Sequence, residues 1–491
     1  LVFPVVSVTL FVPLLGAALL VVLRKIPPRG AHAIGLVSSG LALAGSGLMW
    51  VRGVSGAGFS QVEEASWMPS IGVAYRVGVD GISLPLVLLT AVLFFLALVF
   101  SVGVERDARS YVALFLLLET ACIGVFVALD TILFYVFFEV TLVAMYFIIY
   151  GWGYEERRRA AITFFLYTLL GSLPLLLAIL VLYAGSSPHT FDVQKLVASP
   201  PLTGLAAAFA FLAMLVTFAI KSPIFPVHTW LPLAHTEAPT AGSVILAGVL
   251  LKIGTYGLIR FALQMTPDAF RVAAPYVAGI AVVSALWGAF AALAQKDLKR
   301  LVAYTSVNHM GYVFLAVAAA AAATSAQVRT LALDGAVLQM VSHGLVTGAL
   351  FLVVGALQER AHTREMGAFG GLLRVTPALG WFFVLFSFAS LGLPGLAHFP
   401  AEFQIFLGSF RVYPVAAAVA LVGIAVTAGL YLRAIRVSFF GRPDGWLQGM
   451  RDLGVREVLA TAPLLALTIV VGVYPALILG VVHHTTKAMG L

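Results

Sequence analysis

The residues of this chain that could do chemistry are ionisable side chains set inside apolar runs. Glu139 lies in LFYVFFEVTLVAMYF, Lys221 follows AAAFAFLAMLVTFAI, and Lys252 interrupts ILAGVLLKIGTYGLI. His309 sits in YTSVNHMGYVFL, His343 in VLQMVSHGLVTGALF, and Glu402 in LGLPGLAHFPAEF. His228, His235 and His398 stand beside helix breakers in the same stretches and are candidates to extend a path between them. A lysine or acid at mid-membrane depth costs roughly 2.5–3.5 kcal/mol on insertion scales, so each is a functional candidate by default. The chemistry these types suit is proton transfer. Burial disfavours the charged form of a lysine or carboxyl group, and a nearby opposite charge reverses that. A partner that approaches or recedes can therefore load and unload a proton. Imidazole accepts and donates near neutral pH and can bridge such groups.

The elements that must hold these residues are membrane helices. The chain is 61% hydrophobic and 10% charged, against about 45–50% and about 25% in soluble domains. A hydrocarbon core about 30 Å thick takes about 20 apolar residues per helix. That ruler predicts an all-α integral membrane protein with fourteen spans, near 2–23, 31–51, 79–104, 109–128, 131–151, 160–183, 204–233, 240–264, 271–294, 301–323, 329–357, 376–411, 414–440 and 457–481. The odd-numbered loops hold 19 Lys and Arg and the even-numbered ones 7. The positive-inside rule then places odd loops in the cytoplasm and both termini outside. The net charge of +8 is thus topological and does not mark a nucleic-acid partner. Cys122 is the only cysteine, which excludes disulfides, CxxC chemistry and thiolate clusters. No Walker or dinucleotide glycine loop is present.

The seventh and twelfth spans are too long and carry breakers. Pro223, Pro226 and Pro232 lack the N–H that would bond the carbonyl four residues back. The carbonyls of Ala219, Ser222 and His228 are therefore expected to be free and able to hold water beside Lys221. Pro394, Gly395 and Pro400 break the twelfth span in the same way. Such breaks are tolerated where protein or water re-satisfies the backbone. Two broken helices five spans apart predict a duplicated, inverted unit, a transporter pattern. The predicted organisation is a three-helix segment 1–104, a first five-helix repeat 109–264, a second, inverted repeat 271–440, and a last helix 457–481. Some charges have plainer readings. Asp130 reads as a helix cap, Glu237 as an acid at a helix start, and Arg433 and Arg436 as snorkelling to the cytoplasmic face.

The stretch FAIKSPIFPVHTWLPLAHTEAPTAGSVILAGVLLKIGTYGL, Phe218–Leu258, resembles the signature of the antiporter-like subunits of respiratory complex I. Those subunits are similar to subunits of multi-subunit Na+/H+ antiporters and of membrane-bound hydrogenases. LKRLVAYTSVNHMGYVFLAV and LQMVSHGLVTGALFLVVGALQERAHTREM match two more blocks of the family, and the likeness covers roughly residues 75–445. Chain length and a glutamate after the second break, Glu402, are similar to the M-type members rather than the L- and N-type, where a lysine is usual. The resemblance implies a proton-translocating subunit driven by NADH:quinone electron transfer in other subunits. It implies no cofactor on this chain, with NADH, FMN, iron–sulfur clusters and quinone in partner subunits. The implied partners are the other complex I membrane subunits, above all the L- and N-type ones, in a bacterial plasma membrane. Carried over by motif, Glu139 would tune Lys221, and Lys252 with His343 would form the central connection. His309 would lie on its cytoplasmic side, and Glu402 would be the outward exit group. LAHFPAEF departs from the family's usual GFVGEF, which leaves the role of His398 open. A subunit of a Na+/H+ antiporter or membrane-bound hydrogenase is the alternative.

Overall fold

The computed structural model describes residues 3–56, 58–443 and 445–489. The predicted span 2–23 and segment 1–104 each begin outside them. Among the described residues, thirteen helices are long and apolar enough to cross a membrane. In chain order they begin with α1 (Val5–Val22), α2 (Pro28–Arg52), α3 (Ser83–Phe100), α4 (Ala108–Val127), α5 (Thr131–Trp152) and α6 (Arg157–Gly185). A short α7 (Val193–Ala198) precedes α8 (Gly204–Lys221) and the eight-residue α9 (Trp230–Glu237). There follow α10 (Thr240–Leu263), α11 (Pro267–Leu293), α12 (Leu298–Ala322) and α13 (Ala326–Ala361). The chain closes with α14 (Pro377–Ser390), α15 (His398–Val412), α16 (Pro414–Phe439), α17 (Val455–Val473) and α18 (Ala476–Ala488).

The seventh predicted span is α8, a break and α9. The twelfth is α14, a break and α15, of 14 and 15 residues, each too short to cross alone. The first break is stitched by protein, which corrects the expectation of free carbonyls at Ala219 and His228. Ala219 O accepts the Ile224 N–H at 2.9 Å, and His228 O accepts Leu231 N–H at 3.0 Å. The Trp230 indole N–H donates to Ile220 O at 3.0 Å. Proline removes donors, and here the chain turns back to supply others.

Three helices form the centre. The apolar windows of α10 and α13 are wholly buried and that of α12 is 94% buried, against 33% for α2 and α16. Lipid tails give no hydrophobic drive between helices, so close packing by small residues does the work. At Gly288 of α11 an added Cβ would sit 2.5 Å from the Asn308 backbone nitrogen, and at Gly311 of α12 one would sit 2.8 Å from Ala281 O. Asn308, the sequence's single asparagine, secures this crossing: its amide donates to Ala285 O at 2.7 Å and to the Tyr312 hydroxyl at 3.0 Å.

Charged side chains close the helix ends. Asp130 caps α5 as read from the sequence, accepting Ile132 N–H at 2.9 Å and Leu133 N–H at 3.2 Å. Asp297 caps α12 in the same manner. One feature was not foreseen: residues between α2 and α3 form the only sheet among those described, an antiparallel hairpin of β1 (Ser60–Met68) and β2 (Val73–Val79). Glu63 of β1 accepts the Val6 and Ser7 N–H groups, each at 2.9 Å, and so caps α1, whose own sequence supplies no capping side chain. Arg76 of β2 bridges Glu64 at 2.5 Å and Asp192 at 3.0 Å, tying the hairpin to α7.

Because the Gly288 contact is with backbone, neither side can yield. Gly288→Val is expected to lower the melting temperature of the detergent-solubilised protein by an amount reflecting about 1–3 kcal/mol of overpacking. Gly279→Val, on the same helix with nothing within 4 Å of its Cβ position, should leave the melt unchanged. Equal melts for the two variants would contradict the packing argument.

Candidate functional site

The site is built where the three central helices meet. α10 carries π-type turns at Leu246–Leu250 and Leu258–Leu263, on either side of Lys252. A π turn displaces the backbone ladder by one residue and often marks a functional position. Lys252 uses it: the buried ammonium donates to the Ala247 carbonyl of the bulged turn. It also meets His343 Nδ1 of α13 at 2.7 Å. This contact needs the two backbones close. A Cβ at Gly344 would lie 2.9 Å from Gly248 O, and one at Gly248 would press on Leu93 of α3 at 2.5 Å.

Beyond His343 the side chains continue without leaving the interior. The His343 ring lies 5.5 Å from that of His309 and 6.2 Å from that of His398, centroid to centroid. The His309 and His398 rings are 4.7 Å apart. His309 lies between His343 and Glu402, which corrects its expected place on the cytoplasmic side of the Lys252–His343 connection: its Nδ1 reaches Glu402 Oε1 at 3.3 Å, and His398 Nδ1 lies 3.9 Å from the same oxygen. Gln339, four residues before His343 on α13, donates to Glu402 Oε1 at 3.5 Å and lies 3.4 Å from His309 Nδ1. The second break helps to place Glu402. Gly392, at φ +79°, leaves a Cβ-sized gap that Glu402 Oε2 approaches to 2.7 Å. His398 Nδ1 also bonds Ser390 O across the break at 3.2 Å, so this histidine both ties the backbone and joins the row. All five ionisable residues from Lys252 to Glu402 are buried. His309, His398 and Glu402 offer donor atoms within 4.8 Å of one another.

Lys221 and Glu139 stand apart from that row. Lys221, the last residue of α8, is buried; its ammonium donates to Thr141 Oγ1 at 3.3 Å and lies 4.6 Å from the centre of the Phe138 ring. Glu139 is half-buried on α5, and its Oε1 has no hydrogen-bond partner. Among the described residues no carboxylate comes within the 4.0 Å of an ion pair with Lys221, so the Glu139–Lys221 pair is separated here. Between Lys221 and Lys252 the helices touch at Gly254, where a Cβ would meet Ser222 Oγ at 2.2 Å.

The outlying histidines divide. His228 accepts the Trp287 indole N–H at 3.1 Å and packs near Phe225 and Tyr304, to one side of the row. His235 is wholly buried, stacks on Phe351 with centroids 4.6 Å apart, and has no partner on either ring nitrogen. Two residues on, Glu237 lines a cavity of about 770 Å³ together with Tyr154, Lys296, Asp297, Glu359 and Arg364. Lys299, counted from sequence as a loop charge, is buried and donates to Ala238 O at 2.7 Å. Gln339 could have been found from its i,i+4 spacing to His343. Thr141 and Lys299 carry no such signal.

The chain is similar to known proteins over nearly its whole length. Residues 128–427 match the family model described as NADH:quinone oxidoreductase/Mrp antiporter, TM. NADH-quinone oxidoreductase subunit M of Rhodobacter capsulatus is 41% identical, with 96% of this chain and 93% of that protein covered. The Escherichia coli subunit M is 37% identical over 96% and 95%. A chain of respiratory complex I from Thermus thermophilus superposes with a TM-score of 0.90 at 32% identity, covering 99% of this chain and 98% of that one.

The side position of His228 generates a prediction. Trp287→Phe removes its hydrogen-bond donor and should cost about 1 kcal/mol of stability, read as a lower melting temperature. Proton translocation should not change. Reduced proton movement at unchanged stability would put His228 in the path.

Proposed function

The chain belongs to the NADH:quinone oxidoreductase/Mrp antiporter transmembrane family, and on that premise we propose how it moves protons. It is a multi-pass membrane protein, a non-redox, proton-translocating antiporter-like subunit of NADH:quinone oxidoreductase. Electron transfer in other subunits drives it. The observation that carries the reading is the 2.7 Å contact between Lys252 and His343 at the head of a buried row that ends at Glu402.

Each group has a role that its contacts suggest. Lys252 holds a proton against the Ala247 carbonyl and passes it to His343 Nδ1. His343 releases from its other nitrogen, which has no partner, toward His309 and His398. Either histidine can hand on to Glu402, while Gln339 keeps the carboxylate and His309 in register. Lys221 is the group that loads, and His235 is our candidate inlet because it lies two residues from Glu237 of the cavity of about 770 Å³. Glu139 acts on Lys221 by distance. At an effective dielectric of about 20, a pair 4 Å apart is worth about 4 kcal/mol. Moving one charge against 100 mV takes about 2.3 kcal/mol. Closing and opening this one pair is therefore enough to drive one proton, and the separated geometry corresponds to the releasing state.

We also read α4–α10 and α11–α16 as the two inverted repeats, with α8–α9 and α14–α15 as corresponding broken helices. The basic loops then face the cytoplasm and both chain ends face outward, with L- and N-type subunits as lateral neighbours. The test is proton-to-electron stoichiometry of the assembled complex in sealed vesicles. Lys221→Ala and Glu402→Gln should each lower the stoichiometry, and Lys252→Met should slow proton transfer by about 10²-fold or more, the scale of one lost transfer group. Full stoichiometry with Lys221→Ala would refute the loading role.

A further inference from the structure

The row described so far stops at a buried glutamate, and the proton must still leave. α13 and α15 run antiparallel from that point. Glu402 faces Gln339, a Cβ at Gly335 would lie 2.7 Å from the Ile405 nitrogen, and Gly408 faces Ala332. Nearer the start of α13 stands Asp334, five residues from Gln339, about 7.5 Å along the axis and nearly one and a half turns round it, so that it faces α18 rather than α15. Asp334 is only 5% exposed. A buried carboxylate among apolar helices requires partners, and α18 provides them. His483 Nδ1 meets Asp334 Oδ2 at 2.8 Å, and the Thr486 hydroxyl donates to Oδ1. α18 is itself pinned on the hairpin side of the molecule, where Gly81 N–H donates to Thr485 Oγ1 at 2.9 Å.

The other side of this pair is open. The His483 side chain is 51% exposed. A cavity of about 450 Å³ is lined by Gln327, Thr330, Asp334, His483 and Lys487. One imidazole nitrogen thus faces an interior acid while the ring reaches the surface. The charged and titratable groups around Asp334 are few. α18 presents His483 and Lys487, with His484 beside His483 at 6.4 Å between ring centres. α15 presents Gln404 and Ile405, both uncharged, and Arg329 of α13 turns its guanidinium onto Ala323 O at 3.2 Å.

We propose that Asp334 and His483 form the outer proton-exchange pair of this subunit, taking the proton from Glu402 and delivering it to the aqueous phase on the hairpin side. This rests on the reading of Glu402 as the last group of the buried row. The step is a proton transfer only. The Glu402 carboxyl loses the proton and Asp334 gains it. Asp334 passes it to His483 Nδ1 as His483 releases one from Nε2 to water. Thr486 orients the Asp334 carboxylate and takes no part in the transfer.

The experiment compares His483→Gln, Asp334→Asn, Asp334→Glu and Thr486→Val with Glu402→Gln in the assembled complex, in sealed vesicles, with quinone reduction and pumping measured separately as the pH on the hairpin side is varied. Loss of the imidazole in His483→Gln should lower the proton-to-electron ratio and flatten its response to pH on the hairpin side. Asp334→Asn should lower the proton-to-electron ratio, Asp334→Glu should restore it, and Thr486→Val should keep the pH profile. A destabilised α18 would lower activity with all substitutions at the pair, glutamate included, and that outcome counts against the proposal. If Glu402→Gln abolishes pumping while His483→Gln and Asp334→Asn keep the full ratio and profile, the outlet lies elsewhere and the proposal is overturned. If Glu402→Gln itself pumps normally, the underlying reading of the row fails with it.

Discussion

Everything in the interior depends on how closely α10 approaches α13. At Gly248 and Gly344 the two helices meet backbone to backbone, and any side chain there would collide with the facing carbonyl or with Leu89 and Leu93 of α3. That approach brings the Lys252 ammonium within 2.7 Å of His343. A cation in a low-dielectric interior is tolerated only where its donors find acceptors, and both acceptors here come from the crossing itself: the Ala247 carbonyl released by a π turn, and the imidazole across the seam. Packing and chemistry are one constraint at this position.

The two breaks express the same economy of polar groups. Proline removes backbone donors inside the membrane, and the chain compensates with side chains that also shape the site. The Trp230 indole closes one gap and His398 the other. His398 is the clearest instance, since a single ring nitrogen serves the broken backbone and lies 3.9 Å from Glu402. The glycine at φ +79° beside that carboxylate shows why a break is placed there: only an unbranched backbone leaves room for Glu402 to turn inward.

Much of this was legible in the sequence. Length and apolarity marked the spans, and prolines and glycines marked the interruptions, because an apolar run of about 20 residues crosses a bilayer as a helix and tolerates few breakers. The ionisable residues Lys252, His343, His309 and Glu402 stood out for the same reason. Other features were hidden for physical causes. The hairpin lies outside the apolar runs, and its alternation over SQVEEASWM is broken by two bulges. Glu63 caps a helix from 57 residues away, which no local pattern encodes. The stitching at Ala219 uses an N–H five residues on rather than four, so a rule based on the regular ladder could not find it. Lys299 looked like a topological charge because it borders a loop, yet a backbone carbonyl draws it inside.

The distant cap on α1 has a consequence for biogenesis. Two amides of its first turn, those of Val6 and Ser7, obtain their acceptor from a strand that follows α2 in the chain. Until that strand is made, the start of α1 needs water or headgroups to accept these amide protons, and the helix is free to slide and tilt. It acquires a fixed depth only when the emerging ribbon folds back over it. The ribbon is thus a latch on α1, closed by one carboxylate.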